Sequence, residues 1–403
     1  MDVTGTVKQA AKKIAAVLSA LVMLEILIMI SPFALYWYSV YSPTLQALHR
    51  WSGTAWLECF VLPHSVITTS TALEAFRWVI GPYLFSIGLL GFLVLAVQIY
   101  AAKFRRKGMV TGGIYRYIRH PQYLCLGIAG LGLLAHWPRM IILVLYLLML
   151  TAYYFLARSE ERRLLTEHPE YTTYMLQTSM FLPGNPGGKL FRLLFGWMGN
   201  QAVARGLAVA GIFGIGIAAG FALRAYTVAS AETVTIPEAN IVAIAGWPQG
   251  PEKLERLTRR VLEEPSFRAR LLAEDAAGYT AHLLPADYGM MNMFTDLQDK
   301  RPTFTVKRFL RYGKILLEFL LPFTAPDVKT DIMGSPTEQY RLVVSRVDGP
   351  GSTSLPLFRV MEAGAKMTPV AVVDLDGAGN QVTKMILDPP RRSFWGDITM
   401  PMF

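Results

Sequence analysis

The sequence predicts a polytopic α-helical membrane protein, with about five transmembrane helices and a C-terminal extramembrane α+β domain. Three observations lead there. Long apolar runs recur through the N-terminal half, each near the roughly 20 residues that a helix needs to cross a bilayer. Lysines and arginines crowd into alternate loops between those runs. After residue 228 charges mix, proline and glycine become frequent and no spanning run appears. Composition agrees, since 53% of the 403 residues are hydrophobic and mean hydropathy is +0.34, more than a soluble chain of this size needs.

The first apolar run, Ile14–Val40, follows Lys8, Lys12 and Lys13 and ends in Phe33, Tyr36, Trp37 and Tyr38. It is too long for a signal peptide and reads as a retained anchor. Glu25 lies inside it, and the preferred reading is a hydrogen-bonded or protonated carboxyl facing the bundle. The second helix is Trp78–Ala102. The third and fourth, Pro121–Ala135 and Met140–Ala157, form a hairpin turning at "HWPR", and the first arm is short enough to tilt or cross only in part. The fifth, Val203–Ala225, is rich in glycine and alanine, which suits close packing. The domain division is then 1–77, a membrane core at 78–202, the fifth helix at 203–227, and 228–403.

Orientation follows from the loops. Lys103, Arg105, Arg106, Lys107, Arg116 and Arg119 share one loop, and Arg158, Arg162, Arg163, Lys189 and Arg192 share the next on that side; Arg50, Arg77 and Arg139 are the few on the other. The N-terminus and both basic loops are therefore expected in the cytoplasm of a bacterial cell, with 228–403 periplasmic beyond the inner membrane. The net charge of +10 gathers beside the membrane, so no nucleic-acid partner is implied. Cys59 and Cys125 fall on opposite sides and are not expected to pair.

Within 228–403, "PEKLERLTRRVLEEPSFRARLLAED" places Leu254, Leu257, Val261 and Leu262 on one helical face and breaks near Pro265. "TVKRFLRYGKILLEFLLPF" is helical too, and is preferred as a buried helix over a membrane-surface one. "YRLVVSRV", "LPLFRVME", "PVAVVDLD" and "QVTKMILD" read as short strands separated in part by "DGPGS" and "DGAGN" turns. The Asp-x-Asp of "DLDGAGN" hints at calcium, but without a bidentate glutamate or flanking helices a hairpin turn explains it. His49, His64, Glu58 and Cys59 match no metal spacing, and no metal site is predicted.

Two stretches carry candidate chemistry. "GGIYRYIRHPQYLCLG" gathers Tyr115, Arg116, Tyr117, Arg119, His120, Pro121 and Tyr123 at the entrance of an apolar helix. Pro121 suits the first helical position, and the arginines add to the anion preference of a helix N-terminus. Alone, this is close to an ordinary positive and aromatic membrane edge. "ARSEERRLLTEHPEYTTYMLQTSMFLPG" returns to the same face, with Glu160 and Glu161 below the membrane and Tyr171 and Tyr174 at helical spacing. By default such a glutamate pair beside Arg162 and Arg163 is a solvated helix face.

Taken together, these stretches resemble the isoprenylcysteine carboxyl methyltransferase and phospholipid methyltransferase group over about residues 80–184. The shared features are the Arg-His-Pro-x-Tyr box, the Glu-Glu pair after the next helix, and Tyr-x-x-Tyr before a terminal proline. The resemblance implies an integral membrane enzyme that uses S-adenosylmethionine and a lipid or lipidated substrate. Arg119, His120 and Tyr123 would line the cofactor pocket, Glu161 with Glu160 would hold its ammonium or ribose hydroxyls, and Tyr171 and Tyr174 would close it. Departures are Cys125 where the family usually has glycine, "HPE" before the first motif tyrosine, and an appended helix and outer domain. Two alternatives stay open. Sterol-type reductases share a similar box and bind NADPH, but usually carry asparagine where Gln122 stands. A non-catalytic accessory subunit, docking a protein partner through 228–403, would also retain such a core.

Overall fold

The computed structural model describes residues 47–48, 51–62, 71–105, 110–247, 249–273, 278–286, 339–348 and 366–389. The Ile14–Val40 helix with Glu25, the residues His49 and His64, the 305–323 helix and the "LPLFRVME" strand lie outside them. Among the described residues, three helices are long and apolar enough to cross a membrane: Ala72–Ala102, Met140–Glu167 and Gln201–Ala229. The described residues fall into two compact units. One holds Gly88–Gly130 and Leu145–Val209; the other holds Leu131–Val144 and the described parts of Ser39–Ile87 and Ala210–Phe403.

Helix α1, Gly81–Phe104, continues from a helical turn at Thr71–Ala75 through a π-helical segment, Phe76–Ile80. The helix thus starts before the expected Trp78. Arg77 does not end it, because its guanidinium is buried and lies 4.8 Å over the Trp78 ring. Helix α2, Pro121–His136, has 16 residues, or about 24 Å of rise, short of the roughly 30 Å hydrocarbon core. Of the five expected crossings, three of those among the described residues are long and apolar enough to span, α2 is the short arm, and Ile14–Val40 lies outside the described residues. Helix α3, Met140–Glu167, passes the expected stop at Ala157, since "ARSEERRLLTE" is made largely of strong helix formers.

In the first unit, α1 and α2 meet backbone to backbone. A Cβ on Gly88 would fall 2.4 Å from the Ala129 nitrogen and 2.5 Å from the Cys125 carbonyl oxygen, so only glycine permits this approach. Cys125 turns toward α1, where a Cβ on Gly91 would meet its Sγ at 2.9 Å. Helix α3 joins through Tyr146, whose hydroxyl donates to the Gly127 carbonyl at 3.0 Å. Helix α4, Tyr171–Gln177, and α5, Pro186–Phe195, follow, and α6, Gln201–Ala229, starts in this unit.

In the second unit the "HWPR" turn is tied to residues 58–61. Val61 N–H donates to the Pro138 carbonyl and Met140 N–H to that of Cys59. Arg139 is fully buried and its Nε donates to the Glu58 carbonyl at 2.7 Å; Arg224 NH1 donates to that of Phe60 at 2.7 Å. Burial lowers the Arg139 pKa to about 10, against the nearby Glu58. Sequence reasoning had treated Arg139 only as a loop charge. Both cysteines are free thiols.

The described C-terminal residues of that unit form a six-stranded sheet in sequence order. Its strands are β1 Thr233–Ile236, β2 Ile241–Ala245, β3 Gly278–Pro285, β4 Gln339–Asp348, β5 Lys366–Asp376 and β6 Val382–Leu387. Only β2 and β3 pair in parallel, linked by α7, Pro251–Leu262, and α8, Pro265–Leu272. Leu254, Leu257 and Val261 are fully buried against Ala243, Ala281, Leu342 and Val373, each worth about 1.5–3 kcal/mol of burial. Pro265 opens α8, where a missing N–H costs nothing. Strands β2 and β3 escaped sequence reasoning because "IVAIA" and "GYTAHLLP" are buried on both faces and do not alternate. In "DLDGAGN", Asp374 pairs with Arg341 at 2.5 and 2.7 Å across β4–β5, and Asp376 accepts from Asn380 N–H at 2.6 Å in the hairpin turn. Those carboxylates are thus engaged in the sheet and its turn.

Candidate functional site

A helix needs its first N–H groups satisfied or made unnecessary, and the entrance of α2 uses both devices. Pro121 carries no N–H. The preceding Arg119 and His120 N–H groups donate to the Ser179 and Met180 carbonyls at 2.8 and 3.0 Å, and Ser179 N–H returns a bond to Tyr117. This short parallel bridge brings the "YRYIRHPQY" stretch alongside the chain that follows α4.

Helix α3 then delivers Glu160 and Glu161 to the same place. Glu161 is 3% exposed, and its Oε1 accepts from Arg119 Nε at 2.6 Å. Arg119 also donates through NH1 to the carbonyls of Met175 at 3.1 Å and Thr178 at 2.5 Å. One guanidinium thus ties α3, α4 and the α2 entrance together, in the forked, charge-assisted geometry that arginine favours. The solvated-face expectation fails for Glu161. It holds better for Glu160, whose side chain is 38% exposed.

His120, 3% exposed, sits between the two carboxylates: Nδ1 is 3.4 Å from Glu160 Oε2 and Nε2 is 3.5 Å from Glu161 Oε1. These are ion-pair distances without good hydrogen-bond geometry. Burial opposes the charged imidazolium, yet the two carboxylates outweigh it and raise the His120 pKa above its ordinary value.

An aromatic ladder completes the site. Tyr123 donates to Glu160 Oε1 at 2.6 Å, and its ring stacks between His120, at 5.8 Å, and Tyr153, at 5.1 Å. Tyr171 is buried beside Tyr174, with ring centroids 5.6 Å apart. Tyr174 donates to the Tyr115 carbonyl at 2.5 Å. Burial, foremost, raises the pKa of both phenols, so they stay neutral donors.

All seven expected site residues therefore converge: Arg119, His120, Tyr123, Glu160, Glu161, Tyr171 and Tyr174. Sequence reasoning missed Tyr153, one full α3 turn series above Glu160 at i−7, and the backbone carbonyls that hold Arg119. The i−7 spacing to Glu160 was the available signal for Tyr153. Cys125, which stands where the family usually has glycine, is turned to Gly91. Among the described residues, no group of three or more His, Cys, Asp and Glu could hold a metal ion.

The phospholipid methyltransferase family model matches residues 64–173. That span takes in every converging residue except Tyr174, and bears out the resemblance of the core segment. A curated relative, the cobalt-zinc-cadmium resistance protein CzcN of Cupriavidus metallidurans, is 34% identical over 113 residues, covering 26% of this chain and 51% of the relative. The chain thus spans about half the length of that relative. No solved structure matches. The chain is an α-helical membrane protein with a methyltransferase-family segment and a C-terminal sheet region.

Proposed function

We propose that the chain transfers a methyl group from S-adenosylmethionine to a lipophilic acceptor at the cytoplasmic membrane face. The observation that carries this reading is Glu160: a half-exposed carboxylate beside an aromatic ladder, at the end of a spanning helix. The donor set fits the cofactor's chemistry. Glu160 would receive its ammonium, and the stacked rings of His120, Tyr123 and Tyr153 would keep that carboxylate oriented beside it. Arg119 is engaged with Glu161 and two carbonyls, so it acts as a latch that shapes the site. Tyr171 and Tyr174 brace that latch from α4.

When bound, S-adenosylmethionine supplies an electrophilic methyl group. The chain's residues bind and orient it, and the apolar surfaces of α1–α3 would admit a lipid acceptor from the side and keep water away. His120 lies between the two carboxylates, which raise its pKa against the opposing effect of burial. In the fuller topology proposed, Ile14–Val40 and α2 bring the crossings to five. Residues 228–403 would then stand in the periplasm of a bacterial inner membrane and dock a protein partner.

The test is ligand binding by the purified full chain in nanodiscs, with S-adenosylmethionine and NADPH in parallel. Saturable binding of the first that weakens in Glu160→Gln supports the reading. Binding of NADPH alone would move the chain to the reductases, and binding of neither to the accessory subunits.

A further inference from the structure

Helix α5 poses a separate question. Asn185, at φ 49°, caps it by accepting from Gly188 N–H at 3.1 Å, and Pro186 fills its first position. At 3.6 residues per turn, Leu190, Leu193, Leu194 and Trp197 fall within an arc of about 100°. They are 55%, 78%, 52% and 81% exposed. Lys189, exposed, borders that arc, and Arg192, also exposed, lies on the opposite side of the helix. The less exposed side is a different stripe, Gly188, Phe191, Phe195 and Met198, with the two phenylalanine rings 5.5 Å apart. A helix resting on its own protein would bury its leucines. Here the leucine and tryptophan face points away, and no residue of the helix is buried.

Its place in the chain says what covers that face. Helix α5 ends only a few residues before Gln201, where the spanning helix α6 begins, and α6 continues the exposed apolar surface through Val203 and Leu207. The height of α5 is therefore fixed at one end of a membrane span. That end is the basic one, with Arg158, Arg162, Arg163, Lys189, Arg192 and Arg205 within one stretch of sequence. We propose that α5 lies in the plane of the bilayer interface, with Leu190, Leu193, Leu194 and Trp197 sunk among the acyl chains and Lys189 and Arg192 at the headgroups of an anionic leaflet. Continuity with the lipid-facing surface of α6 and the cations at this end of the span both select a lipid surface as the occupant. The inference is independent of any cofactor.

The test places a nitroxide on the full chain in phosphatidylethanolamine and phosphatidylglycerol vesicles. Leu190→Cys, Leu194→Cys and Arg192→Cys are compared in a Cys125→Ala background, with the parent lacking an added cysteine to account for buried Cys59. Collision with dissolved oxygen, relative to an aqueous nickel chelate, is expected to be several-fold higher at positions 190 and 194 than at 192. Melting temperature checks that each variant folds. Equal access of the nickel chelate to all three positions overturns the proposal. Spin–spin broadening at 190 and 194 also overturns it, in favour of a second copy of the chain on that face.

Discussion

Arg119 and Glu161, 42 residues apart in sequence, form an ion pair of 2.6 Å whose partners are 9% and 4% exposed. The pair closes the gap between the α2 entrance and the foot of α3, and the carbonyls of Met175 and Thr178 extend it to α4. Breaking one side leaves a buried charge. Glu161→Ala is expected to cost about 3–5 kcal/mol of stability, read as a lower melting temperature in detergent. Arg119→Met combined with Glu161→Met should cost less than the two single losses added together. Strict additivity would show that the pair is not a unit.

His120 gives the site a pH dependence with a definite sign. Its folded pKa is raised by Glu160 and Glu161 against the opposing effect of burial. The stability it contributes is thus fully present below its unfolded pKa, about 6.5, and is lost as pH rises through the higher folded value. The melting-temperature gap between the wild type and His120→Gln should be widest on the acid side of 6.5 and shrink above it. A gap that grows with pH would contradict the placement of His120 between the carboxylates.

Tyr123 donates to Glu160 at 2.6 Å. Tyr123→Phe keeps the stacked ring and removes a hydrogen bond to a charged acceptor, worth about 1.5–3 kcal/mol. It should lower affinity for S-adenosylmethionine by roughly tenfold or more, because Glu160 loses its orientation, while the secondary structure seen by circular dichroism stays unchanged. Unchanged affinity would remove Glu160 from the binding site.

Close packing of α1 on α2 predicts a sharp contrast between two glycines. Gly88→Ala would put Cβ 2.4 Å from a backbone nitrogen that cannot give way, costing about 1–3 kcal/mol. Gly112→Ala meets nothing within 4 Å and should stay within about 0.5 kcal/mol of wild type. Thermal melts of the full chain in one detergent compare them directly.

The described spanning helices could be read from apolar length, and the seven residues that converge from two motifs, because both signals are local. What escaped was tertiary. Arg77 reads as a loop charge, yet it lies within the helix with its guanidinium over the Trp78 ring. Arg139 looked like a topological charge, although its partner is the carbonyl of Glu58, 81 residues earlier. Glu160 and Glu161 are adjacent in sequence and look alike; their difference in exposure depends on α4 and on where Arg119 reaches. Strands β2 and β3 carry no period-two pattern, since burial on both faces removes it.

The central claim is that Glu160 and its aromatic ladder receive S-adenosylmethionine. Calorimetric titration of the full chain in nanodiscs tests it most directly. The account predicts saturable binding of S-adenosylmethionine, at least tenfold weaker in Glu160→Gln (about 1.4 kcal/mol), with Gly112→Ala unchanged as the control. No binding by a wild-type chain that melts cooperatively, or binding untouched by Glu160→Gln, would contradict it.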